Sequence, residues 1–322
     1  MFCTVYVLLL LALPAGWVAH PLTERLDPRS ATWLLTATAA TLAAASSAGL
    51  LLLALTGLLR THTAAALGHW SLRVLRNGTP GTGLVSPLAG AALVTAAVAT
   101  AGTLRCRVRA QRTAAREAAR LPTRHGLSVA EDPSAEAFAV PGSTTSAGPG
   151  GRVVVSTGML AALTPEEVSV LVAHERAHLH ARHHWFVMTA QLAATANPLL
   201  RPLARHVSYT VERWADEEAA LATGDRRRVA RTIGKAALAR QRTAVRTSAP
   251  HGVLRLTGPS ASAGPVPRRV AALLAPPHRG VRAQPLVPAL TTLLVATALL
   301  CCADAAHDVH RLLQLAHEST GY

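Results

Sequence analysis

Two short stretches of this chain hold residues whose types and spacing suit metal chemistry. In His174-Glu175-Arg176-Ala177-His178, two histidines stand four apart with a glutamate beside the first. On a helix that spacing stacks both imidazoles on one face, about a turn apart, where they can bind a single ion. Glu175 then lies close enough to act as a base on a water at that ion. A third ligand stands further along, in Tyr209-Thr210-Val211-Glu212-Arg213-Trp214-Ala215-Asp216. Glu212 and Asp216 are also four apart, so both carboxylates can face one site. A His174, His178 and Glu212 set suits one zinc ion per chain and leaves the fourth position to water, as a catalytic zinc requires. Asp216 would accept the free ring N–H of a ligand histidine. The competing reading is a pair of solvated polar helix faces, since Glu217 and Glu218 follow directly. Finding both motifs in one chain favours the metal.

These residues need helices to hold them. Thr164 suits a cap, Pro165 the first helical position, and Glu167 completes a capping box with Thr164. From Glu166 to His184 there is no Gly or Pro, and Val168, Leu171, Val172 and Leu179 supply an apolar face. His180, His183 and His184 lie past His178 and mostly off its face, so they read as surface or interfacial histidines. Trp185 to Leu200 is apolar, is interrupted by Asn197-Pro198, and is marginal in length for a membrane span. A buried or membrane-resting helix is expected there. A full crossing would carry Glu212 to the opposite side from His178.

HERAH followed by ERWAD resembles the membrane-bound gluzincin metallopeptidases: the HtpX-like heat-shock proteases, the CAAX prenyl proteases and the peptidase family of the β-lactam sensor-transducers. The resemblance spans roughly Phe138 to Leu274 and is strongest in the two motifs. It implies a zincin-like α+β catalytic domain with His174, His178 and Glu212 as zinc ligands, Glu175 as general base and Asp216 as the supporting carboxylate. In such peptidases an edge strand beside the HExxH helix pairs with the substrate backbone. The stretch Arg152 to Thr157, with Val153, Val154 and Val155, is the candidate, and an ordinary sheet strand is the alternative. His206 and Tyr209 are candidates for stabilising the oxyanion, although neither matches a motif.

The rest of the chain is built for a bilayer. Half of its residues are hydrophobic, 50%, yet only 3% are aromatic, and the mean hydropathy of +0.28 is high for a soluble domain. The net charge of +15 is almost all arginine, Lys235 being the one lysine. No nucleic-acid-binding signature accompanies it, so the basic residues read as membrane flanks and no nucleic-acid partner is expected. Apolar runs predict spans at Thr4–Ala19, Ala31–Leu59, Leu84–Leu104 and Leu286–Ala303. The first lacks a charged residue ahead of it, which argues against a cleaved signal. The cysteines Cys3, Cys106, Cys301 and Cys302 form no CxxC pair and imply no disulfide framework. Pro141 to Gly151 and Ser248 to Pro267 read as loop and linker.

The expectation is therefore a mainly α, polytopic membrane protein with about four transmembrane helices and a small α+β catalytic domain. Residues 1–104 would form a membrane domain, 105–285 the catalytic segment, 286–303 the last span and 304–322 a short tail. Arg105 to Arg124, where arginines face only Glu117, and Arg268 to Arg282 place the catalytic segment at the cytoplasmic leaflet, with both termini outside. The expected partners are a protein or peptide substrate and the lipid bilayer; the oligomeric state is open. The expected activity is zinc-dependent cleavage of membrane or membrane-proximal proteins. Two alternatives stay open. One is a signalling peptidase of the sensor-transducer type without its sensor domain, since about twenty residues after the last span cannot fold into one. The other is a non-catalytic zinc-binding scaffold, for which Glu175 would have no use.

Overall fold

The computed structural model describes residues 10, 12–59, 61, 82–142, 151–246, 266–276 and 286–318. Helices α1 (Ala12–Arg25), α2 (Pro28–Leu59) and α3 (Thr82–Arg120) come first. Strands β1 (Thr123–Arg124), β2 (Leu127–Ala130), β3 (Ala137–Val140) and β4 (Arg152–Ser156) follow. Then come α4 (Thr157–Ala162), α5 (Pro165–His180), α6 (His183–Ala196), a 3-10 turn (Pro198–Leu200), α7 (Arg201–Thr223), α8 (Arg226–Arg246), α9 (Val266–Leu274) and α10 (Leu286–Glu318). This is the expected mainly helical membrane architecture with a small mixed sheet.

Among the described residues three helices are long and apolar enough to cross a bilayer: Pro28–Leu59, Leu84–Arg120 and Thr292–Arg311. The expected Thr4–Ala19 span lies partly outside the described residues. The part described belongs to α1, whose 14 residues cover about 21 Å, short of a hydrocarbon core of about 30 Å. Within α2, Thr38 and Ser46 donate to the carbonyls of Leu34 and Leu42. That suits a helix surrounded by lipid or by other helices.

The sheet has the order β1-β2-β4-β3, with β4 parallel to β2 and antiparallel to β3. Val153 and Val155 pack with Met159 and Leu171, while Val154 faces the other side with Ala118 and Val140. All three valines are buried, at 1%, 1% and 0% exposure. This corrects the expectation that Val153, Val154 and Val155 meet the substrate. Val154 already pairs with Ser128 on one side and Phe138 on the other, so β4 has no free edge. β3, which packs beside α5, is the outer strand on that side.

The largest apolar core joins α1, α2, α6 and α7 through Leu35, Leu42, Phe186, Ala190, Leu203, Val207 and Val211. Of the two motif-bearing helices, α7 packs directly against the apolar helices. α6 ends at Asn197, and α7 runs back antiparallel to return Glu212 to the end of the hairpin where α5 carries His178.

Candidate metal centre

α5 starts as its residues dictate. Thr164 Oγ1 accepts from the Glu167 amide at 3.4 Å, and the Glu167 carboxylate accepts from the Thr164 amide at 3.0 Å. Lys235 of α8 reaches the same carboxylate at 2.5 Å and fixes α8 to the start of this helix. The Lys235 bond, followed by the Thr164 amide, holds the Glu167 carboxyl below its ordinary range.

One turn before its end, α5 presents His174 and His178, and α7 brings Glu212 against them. His174 Nε2 and His178 Nε2 are 3.2 Å apart. Glu212 lies 3.7 Å from the first through Oε2 and 3.6 Å from the second through Oε1. Tetrahedral zinc with bonds of about 2.0–2.1 Å separates its ligand atoms by about 3.3–3.4 Å, so the three donors stand where such an ion needs them. Among the described residues this is the one group of three or more candidate ligands close enough to share an ion. Glu175 is buried next to His174, at 6% exposure.

The surroundings fix the candidate ligands. His183 Nδ1 lies 3.0 Å from His178 Nδ1, and the His183 ring packs on Trp214 at 4.7 Å. His183 is 1% exposed, which corrects its reading as a surface or interfacial histidine. The cause is local. α5 stops at His180, Arg182 takes a left-handed turn at φ 52°, and α6 begins by folding His183 back over His178. With His178 Nε2 turned to the site, its Nδ1–H donates and His183 Nδ1 accepts, an assignment made from geometry. Burial, reinforced by nearby His178, lowers His183 to about 3, so it is neutral and able to accept.

Asp216 stands behind His174, with Oδ1 3.1 Å from Nδ1, although the pair is not aligned as a hydrogen bond. Its oxygens are held by Arg269 of α9, whose Nε donates to Oδ2 at 2.8 Å and Nη2 to Oδ1 at 2.6 Å. Arg269 Nη1 also lies 2.8 Å from Glu212 Oε2. Burial would raise both carboxyls, but Arg269 first and His174 second hold Asp216 low and Glu212 well below its ordinary range. Burial pulls His174 down, and the neighbouring Asp216 and Glu212 carboxylates overcome it, raising the imidazole to about 9. Reading the sequence treated Arg269 only as part of a positive flank. The signal that could have found it is its place beside Val270 and Leu273 on the buried side of α9, since a charge on such a face needs a partner.

His206 is not among the grouped candidate ligands. His206 meets His20 of α1 edge-on at 6.1 Å, and Tyr209 lies under the Arg268 guanidinium at 4.8 Å. Both contacts help pack α1 and α9 on α7.

Residues 103–196 match the family model of Peptidase family M48. The match covers under a third of the chain, includes the sheet and the HExxH helix, and ends before Glu212. It supports the resemblance to membrane-type metallopeptidases at the HExxH motif, while the second motif lies outside the match. No curated protein and no solved structure matches the chain.

Proposed function

We propose that this protein is a zinc-dependent metalloendopeptidase cutting membrane or membrane-proximal proteins at the cytoplasmic face of the membrane. The observation that carries the reading is the convergence of His174, His178 and Glu212 from two helices, 3.2–3.7 Å apart, with Glu175 buried beside them. Zinc held by these three residues would polarise a peptide carbonyl and make a water easier to deprotonate. Glu175 takes a proton from the attacking water and delivers it to the leaving amine. Arg269 and Asp216 hold Glu212 and the His174 ring while the proton moves. Among the described residues no strand pairs with the outer side of β3, and an extended substrate would add there as a further strand. The arginines of Arg105–Arg124 and Arg268–Arg282 support a site on the cytoplasmic side.

The test compares cleaved membrane and cytosolic proteins in cells making either the native chain or Glu175→Gln. Cleavage products present only with the native chain are expected. A single cleaved regulator would favour the signalling peptidase, and identical patterns would leave the non-catalytic scaffold.

A further inference from the structure

Two side-chain bonds fix the height of the α6–α7 hairpin along α2. Thr32 Oγ1 donates to Thr210 Oγ1 at 2.9 Å, and Asn197 Nδ2 donates to Ser46 Oγ at 3.1 Å. α7 therefore runs antiparallel to α2, almost residue for residue, and the hairpin tip lies level with Ser46, near the middle of the Pro28–Leu59 helix. α3 is registered on α2 at the opposite end. Thr56 Oγ1 meets Ser86 Oγ at 3.4 Å, and a Cβ on Gly57 would lie 2.4 Å from that of Ser86, so the helices touch there.

These registers locate the edge of the bilayer. α3 has no charged residue from Leu84 to Leu104, and its first is the exposed Arg105. Counting from Ser86 opposite Thr56 sets Arg105 opposite residue 37 of α2. From there to Leu59, α2 covers about 33 Å, close to the hydrocarbon core, and it carries no charge after Arg29. Counting from Thr210 opposite Thr32 sets Arg205 opposite the same residue 37, and Arg201 opposite 41. Both are exposed, and long guanidinium side chains at that height can extend to the headgroups.

The tip is built for a medium without water. The Asn197 amide donates to the Ala193 carbonyl and the Leu200 amide to the Asn197 carbonyl. The Leu199 amide donates to Asn197 Oδ1 and the Arg201 amide to the Pro198 carbonyl. Pro198 and Pro202 have no N–H, so no amide from 197 to 202 is left open except through proline. Leu199 faces outward at 41% exposure.

We propose that the α6–α7 hairpin is inserted into the bilayer, with Asn197–Leu200 in the hydrocarbon about 10 Å below the plane of Arg105 and Arg205. The occupant of this surface is lipid acyl chain. On the peptidase reading, Glu212 then stands about 10 Å above that plane, and a peptide bond a few extended residues from an embedded segment reaches it.

The test labels single cysteines with a nitroxide in a chain whose four cysteines are replaced, reconstituted in lipid nanodiscs. Leu199→Cys is compared with Val98→Cys, an exposed α3 position at the same height, and with Leu221→Cys, exposed far along α7. Oxygen concentrates in hydrocarbon and a nickel chelate stays in water. The label at 199 is expected to relax with oxygen, as at 98, and to ignore the chelate that reaches 221. A label at 199 that follows 221 while 98 follows oxygen overturns the proposal. Should the cysteine-free chain not fold, a fluorescent unnatural residue at the same positions, quenched by brominated acyl chains or by iodide, gives the same comparison. Neither readout involves zinc or cleavage, so failure here leaves the peptidase reading standing.

Discussion

Replacing Arg269 with Met removes the one guanidinium that holds both carboxylates of the site. Its side chain is 6% exposed and that of Asp216 2%, while Glu212 keeps 26%. The Asp216 pair is therefore fully desolvated, and the Glu212 contact is partly screened by water and counts for less. Breaking a buried pair by removing one partner costs about 3–5 kcal/mol, because the other charge stays behind. At a few degrees per kcal/mol, the melting temperature should fall on the order of 10 °C in detergent with a chelator present. Zinc supplies positive charge beside the same carboxylates, so its addition should raise the melting temperature of Arg269→Met more than that of the native protein. Adding Asp216→Asn removes the stranded charge and should recover part of the loss. Thermal unfolding followed by tryptophan fluorescence checks all three. Arg269→Met melting with the native protein in chelator would refute the reasoning.

Other outcomes follow from the same contacts. Asp216→Asn should weaken zinc binding roughly 10 to 100-fold by chelator competition. Glu217→Gln should leave zinc binding unchanged, because Glu217 pairs with Arg226 and not with a ligand; equal effects would contradict the geometry. His183→Ala removes the acceptor of His178 Nδ1–H and should also cost roughly 10 to 100-fold in zinc affinity, measured the same way. The Glu167 carboxyl is held below 4.5 by Lys235 and the Thr164 amide, so its stabilising effect is complete above that unfolded value. It should be lost as pH falls through the lower folded value, and Glu167→Gln should flatten that part of the stability profile.

The grouping of His174, His178, Glu212 and Asp216 was legible because helical spacing alone puts His174 beside His178 and Glu212 beside Asp216. The capping box at Thr164 was legible too, since it needs only four consecutive residues. What sequence did not show depends on contacts between distant segments. Arg269 is 53 residues from Asp216, and nothing in its immediate neighbourhood names that partner. His183 was misjudged because continuing α5 as one helix turns it away from His178, whereas the break at Arg182 turns it back. The β4 valines were misassigned because a β-branched run marks a strand without saying which strands flank it.

The central claim is tested most directly by metal analysis of purified protein, read beside peptide cleavage. The native chain should hold about one zinc and cleave, and Glu175→Gln should hold the same zinc with cleavage down by several orders of magnitude. His178→Ala should hold none. Full zinc in His178→Ala, or undiminished cleavage by Glu175→Gln, would contradict it.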